Sequence, residues 1–323
     1  MIPKGKASAK LKIQVLAGGI SHERDISLKS GRRVADALTD FGASVVIREP
    51  DSNLLNNILK DKPDVIWPCL HGASGEDGAL RDVLSLTGVP FVGATASAAR
   101  LAWDKSIAKV LVARAGILTP PSITLPKETF RELDAESVLK AVTSSIALPV
   151  VVKPARSGSA QGVTIVHEQS ELNRAMIDAY VYCDVALIEK FIEGTELAVS
   201  VIDLGAGPIA LPAVEIEPVA GHFGYDERYT AGETNYYVPA RLDGVAAEKA
   251  SAMAIAAHEE LGLRHISRID MIIDGQGVAW FLEANVLPGL TDTSLLPQAI
   301  VASGNSLGEV YYSLAEAARN NRG

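Results

Sequence analysis

The chain has 323 residues, 48% of them hydrophobic and 5% aromatic, with a formal net charge of −9. That length exceeds what one compact core serves, so two or three domains are expected. An acidic, ring-poor chain lacks the basic stacking surface that nucleic acid requires, and no apolar run approaches the ~20 residues that span a bilayer. Cys69 and Cys183 stand alone, with neither a disulfide framework nor zinc-ligand spacing around them. The first ten residues, MIPKGKASAK, have no apolar signal core. The expectation is a cytoplasmic protein that handles small molecules, without a nucleic-acid or membrane partner.

In chain order, LKIQVLAGG reads as a buried strand closing on Gly18-Gly19, followed by a helical pattern, LKSGRRVADALTDFG, stopped at Gly42. ASVVIREP is a second strand, LLNNILKD a second helix and DVIWPCL a third strand. Such β-α-β-α-β alternation predicts a parallel sheet faced by helices, whose ligands gather at the C-terminal strand ends. Those ends carry GGISHERD and HGASGEDG, and His71 stands there directly before a glycine.

Helices dominate from GVPFVGATASAARLAWDKSIAKVLVARAGI until PPSITL. LPVVVKPARSGSAQGVTIV then reads as strand, glycine-rich loop, strand, with Lys153 at a strand end and glycines at 158 and 162. Glycines let backbone N–H groups approach phosphate oxygens and a lysine adds a point charge, although a flexible hairpin loop fits the same residues. Neither a GxxxxGK[ST] loop nor a GxGxxG turn is present, which argues against a P-loop ATPase and a Rossmann dehydrogenase. VALIEKFIEGTELAVSVI supplies two strands around Glu193-Gly194, and a polar loop is expected from Tyr225 to Tyr236. Three lobes follow, with boundaries near residues 100 and 190.

SRIDMIIDGQGVAWFLEAN predicts a hairpin. A two-residue turn at Gly275-Gln276 would pair Asp274 with Gly277, Arg268 with Glu283 and Asp270 with Phe281. Period two then sets Arg268, Asp270, Glu283 and Asn285 on one face, with Asp270 and Glu283 as diagonal neighbours. A lone carboxylate pair would suit a solvent-facing row balanced by Arg268. Three oxygen donors on one face favour a hard divalent ion instead. GNSLG at Gly304–Gly308 matches the spacing of a nucleophile elbow but follows a helix-like run, LLPQAIVASG, instead of a strand. Ser306 with Glu309 is read as a capping box for the last helix.

In order along the chain, GGISHERDIS, LHGASGEDG, WDK, VVVKPARSGSAQGV, IEKFIEGTEL, YDERYTAGETNYYVPA, SRIDM and LEANVLPGLTDTSLLP resemble the motifs of the D-alanine–D-alanine ligase family of the ATP-grasp superfamily. The resemblance covers nearly everything after the first ten residues. It implies an α/β, three-lobed ATP-grasp fold with an N-terminal Rossmann-like parallel sheet. Residues 1–100 would form an N-terminal α/β substrate-binding domain and 101–189 a central ATP-grasp lobe with the glycine-rich loop. Residues 190–323 would form a C-terminal ATP-grasp lobe with the metal site and a mobile loop.

The resemblance also implies roles. Lys105 and Lys153 would hold ATP phosphates, with Ser159 in the loop closing over them and Arg228 reaching the γ-phosphate. Glu189, Lys190, Phe191 and Ile192 would form the adenine-binding strand, with Glu196 on the ribose. Asp270, Glu283 and Asn285 would hold two magnesium ions, for which manganese could substitute. Glu23 would orient the first D-alanine's ammonium and join Ser159 and Tyr229 in a hydrogen-bonded triad, with His71 beside that substrate. Arg268 and the Gly289 amide would stabilise an oxyanion, and Ser294 with Leu295 would receive the second substrate's carboxylate.

Two departures from the family pattern stand out: Arg228 in place of lysine and Val286 in place of threonine. In the family that the chain resembles, a tyrosine at the position of Tyr229 accompanies peptide formation and phenylalanine ester formation, so the resemblance implies two D-alanines as substrates, with D-lactate or D-serine as the alternative second substrate. A non-catalytic nucleotide-binding homologue is the remaining alternative. A homodimer is expected.

Overall fold

The computed structural model describes residues 10–158, 160–219 and 233–320. The first sheet is parallel, ordered β2-β1-β3, from β1 (Lys12–Leu16), β2 (Ser44–Arg48) and β3 (Val65–Pro68). Between them run α1 (Arg24–Asp40) and α2 (Leu54–Asp61). Helix α1 stops because Gly42 adopts φ +105°, a left-handed turn that lets Ala43 N–H bond back to Leu38. Short helices α3 (Ala73–Glu76) and α4 (Ala79–Ser85) follow β3, then α5 (Ala96–Trp103) and α6 (Lys105–Arg114).

The second sheet is antiparallel, ordered β4-β7-β5-β6, from β4 (Ser122–Pro126), β5 (Val150–Pro154), β6 (Thr164–Val166) and β7 (Val185–Lys190). Helices α7 (Lys127–Glu132), α8 (Ala135–Ser145) and α9 (Leu172–Tyr180) accompany it. Leu139, Val142, Leu172 and Met176 bury their apolar stripes against Val150, Val152 and Ile188 to make its core.

The third sheet is also antiparallel, with the path β11-β10-β8-β12-β13 and β9 added on β8. Its strands are β8 (Gly194–Asp203), β9 (Pro208–Ala210), β10 (Val214–Pro218), β11 (Thr234–Tyr237), β12 (Ile266–Asp274) and β13 (Ala279–Asn285). Residues 234–236, expected within a loop, therefore belong to a strand, Thr234–Tyr237, paired with β10. One face of this sheet packs α10 (Gly244–Glu260) together with α5 and α6, using Val199, Val201, Ile269 and Met271. Val286 is buried in that apolar cluster, so a valine suits the position.

The chain closes with α11 (Leu295–Ala302) and α12 (Leu307–Asn320). As expected, Gly304 ends the helical run at φ +80°, and Ser306 Oγ accepts the Glu309 N–H ahead of the last helix. Helix α12 returns to the first lobe, where Tyr311 meets Trp67 edge-on at 5.3 Å between ring centroids and Tyr312 packs on Phe41. Among the described residues no helix is long and apolar enough to cross a membrane.

Candidate active site

The hairpin shares the expected face but not the expected register. The connection is a three-residue loop, Gly275-Gln276-Gly277, with Asp274 bonded to Val278 and Gly277 at φ +73°. That one-residue slip alone would turn Glu283 and Asn285 to the opposite face. A bulge between Asp270 and Met271 opposite Phe281–Glu283 reverses it. Arg268 consequently pairs with Asn285, and Asp270 lies directly opposite Glu283 instead of diagonally. The face is not a solvent row either, since Arg268 is 7% exposed and Asp270 6%.

Arg268 forms a fork onto Asp270, Nε to Oδ1 at 2.6 Å and Nη2 to Oδ2 at 2.7 Å. Burial works against the guanidinium's charge, but Asp270, with Glu283 and Glu76 beyond it, outweighs burial and raises the pKa. Glu283 Oε2 lies 3.2 Å from Lys105 Nζ, which also donates to the Ser157 carbonyl at 2.5 Å. Lys105 thus ties the hairpin acid to the glycine-rich loop. The cleft here is lined by Glu76, Trp103, Lys105, Gly158, Glu283 and Asn285.

Two carboxylates and an amide oxygen are the donor chemistry of a hard cation, and a small octahedral ion completes its shell from phosphates and water. Among the described residues no three acidic, histidine or cysteine side chains gather on their own. The donor set therefore fits magnesium shared with a polyphosphate, with Arg268 and Lys105 holding the acids in the structure as it stands.

The second charged cluster centres on Glu189 of β7, which is 2% exposed. Its Oε1 receives Lys153 Nζ at 2.5 Å and its Oε2 receives Lys109 from α6. Burial raises the Glu189 pKa, yet the two ammonium groups dominate and hold it low. Lys153 is raised despite its own burial, whereas for Lys109 burial prevails and the pKa is lowered. Lys190 sits on the other face of the strand, donating to the Ala147 carbonyl at 2.9 Å, away from this cluster. Phe191 N–H bonds the Pro149 carbonyl, Ile192 continues the connection to β8, and Glu196 lies opposite Ile272.

At the mouth of the first sheet, Glu23 begins α1. A Cβ on Gly72 would lie 3.3 Å from Glu23 Oε2, so the carboxylate packs on the residue after His71. His71 Nε2 sits 3.3 Å from Ser30 Oγ, and burial followed by the Arg268 charge lowers its pKa to about 4. His71 is therefore neutral at pH 7. Glu76 accepts the Gly72 N–H at 3.0 Å, and its pKa is raised to about 7 by burial first and then by Glu23. Its Oε2 stands 3.2 Å from where a Cβ on Gly158 would be, so the glycine-rich loop meets the first lobe there.

Beyond β13, a Cβ on Gly289 would lie 2.7 Å from Ser294 Oγ, so the Gly289 backbone approaches that side chain closely. Ser294 Oγ accepts the Thr291 N–H at 3.0 Å, and Leu295 opens α11, whose first amides form a site suited to a carboxylate. Ser159, Arg228 and Tyr229 lie outside the described residues.

Four residues escaped sequence reasoning: Glu76, Asp104, Lys109 and Arg156. Lys109 carried a usable signal, since it stands one helical turn beyond Lys105 on the same face of α6. Glu76 stands within HGASGEDG at a strand end, but its burial depends on the glycine loop of another lobe, which that segment does not display.

A family profile described as "D-ala D-ala ligase C-terminus" matches residues 111–316. A D-alanine–D-alanine ligase from Pelotomaculum thermopropionicum is 34% identical over 97% of this chain and 98% of its own length. Among solved structures, the VanG D-Ala:D-Ser ligase from Enterococcus faecalis superposes with a TM-score of 0.82 at 28% identity, covering 96% of this chain and 99% of its own. The D-alanine–D-alanine ligase from Bacillus anthracis complexed with ATP gives a TM-score of 0.80 at 26% identity, covering 97% and 98%.

Proposed function

The chain belongs to the D-alanine–D-alanine ligase family, and from that premise we propose that it joins two D-alanines at the expense of ATP to supply the dipeptide for peptidoglycan. The observation that carries this reading is the meeting of two clusters. An acid face on the hairpin and a buried pair of lysines around Glu189 are joined by α6, which sends Lys105 to Glu283 and Lys109 to Glu189.

A carboxylate is a poor acyl donor, and phosphorylation by ATP converts it to an acyl phosphate. Lys153 and Lys105 hold the phosphates, and Glu189 holds Lys153 in place through its ion pair. Magnesium held by Asp270, Glu283 and Asn285 would offset charge on the phosphoryl group. Glu23 receives the first substrate's ammonium, with neutral His71 beside it. The second D-alanine, its carboxylate at Ser294 and Leu295, attacks as a free amine. The C–N bond forms, the carbonyl π pair moves to oxygen, and collapse of that oxyanion breaks the C–O bond to phosphate, which leaves with the proton given up by the nitrogen. Arg268 and the Gly289 N–H face the developing oxyanion, where donors lower the barrier more than they tighten substrate binding. Glu196 serves the ribose, with the strand from Glu189 to Ile192 beside the adenine. Ser159, Arg228 and Tyr229 act in closure that excludes water. Two magnesium ions, a homodimer and a cytoplasmic setting complete the reading.

Phosphate release in ATP and magnesium tests it. D-alanine alone should support turnover, and robust ATP binding without D-alanine-dependent release would overturn the assignment. The likeness to a D-Ala:D-Ser ligase favours D-serine as a second reading. Mixed dipeptide outpacing D-alanyl-D-alanine when both amino acids compete would establish it.

A further inference from the structure

The glycine-rich loop is attached at its entry by one carboxylate that performs two tasks. Asp104 precedes α6, and its Oδ1 accepts the Ser106 and Ile107 N–H groups at 3.1 and 3.3 Å, capping the helix that carries Lys105. Its Oδ2 accepts Arg156 Nε at 2.8 Å, and Arg156 belongs to the loop. Beside this pair the Lys105 N–H bonds the Ala155 carbonyl at 2.9 Å, and Lys105 Nζ bonds the Ser157 carbonyl. The far end of the loop is fixed differently. Gly162, at φ +71°, is seated so closely that a Cβ would lie 2.8 Å from the Tyr182 ring and 3.1 Å from Pro154. Exit is held by steric fit and entry by charge.

We propose that Asp104 and Arg156 are a positioning pair that sets the entry of the glycine-rich loop against Lys105 and thereby sets the affinity for ATP. The inference rests on the ligase reading for what the loop covers. Neither side chain touches a substrate. Asp104 acts by orienting the α6 N-terminus, and Arg156 by holding the loop to it. The Asp104 side chain is nearly buried while Arg156 is 54% exposed, so the pair is partly screened and its effect is moderate.

The test uses Asp104→Asn, Arg156→Gln, the double variant and Arg156→Lys in the full chain. Asparagine retains the capping acceptor, so Asp104→Asn removes the charge and leaves the helix start intact. Each single variant should weaken ATP binding about fivefold by calorimetry and raise KM for ATP equally, with kcat within about twofold of wild type. The double variant should be no weaker than the worse single one, because both remove the same contact. Arg156→Lys should recover part of the loss. Unchanged ATP affinity with lowered thermal stability would overturn the pair, as would independent, additive losses. A wild type that binds ATP but never turns over would overturn the ligase assignment instead. The calorimetric comparison would still decide the pair.

Discussion

The hairpin and the β7 cluster both bury acids against cations, but in opposite balance. On the hairpin two acids, Asp270 and Glu283, meet Arg268 and Lys105, a neutral foursome. Around β7 one acid, Glu189, meets two lysines, Lys109 and Lys153. The first arrangement can exchange its internal cations for metal, and the second presents net positive charge to a polyanion. A site for a magnesium–nucleotide complex needs both, and here they are supplied by different sheets, each met by α6 through Lys105 or Lys109.

The comparison breaks most sharply at Glu283. Glu283→Gln replaces a charged metal donor by a neutral amide oxygen and should lower kcat by about 10³-fold or more while leaving nucleotide affinity within about tenfold. Steady-state kinetics alongside ATP calorimetry would read this, and near wild-type turnover would refute the metal face. Glu189→Gln should act on stability as well as rate, costing about 3 kcal/mol because two buried ammonium groups lose their counter-charge. Its folded-state pKa is depressed, so its contribution is present above the unfolded carboxylate pKa and disappears as pH falls through the folded value. Thermal melts from pH 7 downward should show wild type converging on Glu189→Gln.

Glu76 has the opposite sign. Its folded pKa is raised from 4.5 to about 7, so the unfolded chain gives up this proton first. Stability should fall as pH rises from 4.5 to about 7, by at most ~3 kcal/mol at 1.36 kcal/mol per unit. Glu76→Gln should flatten that slope in melts across the same range. The smallest effect is expected at Gly162→Ala, about 1–2 kcal/mol, from a positive φ and the Tyr182 contact. Denaturant unfolding would measure it, and a neutral outcome would mean the loop's exit is looser than its packing indicates.

The parallel sheet, the capped final helix and the shared face of Arg268, Asp270, Glu283 and Asn285 were legible because each rests on local periodicity. The register was not. A three-residue turn and a bulge each shift pairing by one, and two shifts leave the face intact while moving Asp270 opposite Glu283. Period-two reasoning sees only the parity. The roles assigned by ordered motifs came from resemblance, and a contiguous run such as Glu189–Lys190 does not display that Glu189 is buried while the Lys190 ammonium turns to the Ala147 carbonyl. Glu76 and the Asp104–Arg156 pair are contacts between segments distant in sequence, which no window of residues displays.

Helix α12 completes the core of the lobe that β1 begins. During synthesis on the ribosome, the first sheet therefore emerges long before Tyr311 and Tyr312 arrive to cover Trp67 and Phe41. The nascent first lobe must wait with part of its apolar face open while the two antiparallel sheets assemble. It reaches its final packing only once α12 has emerged.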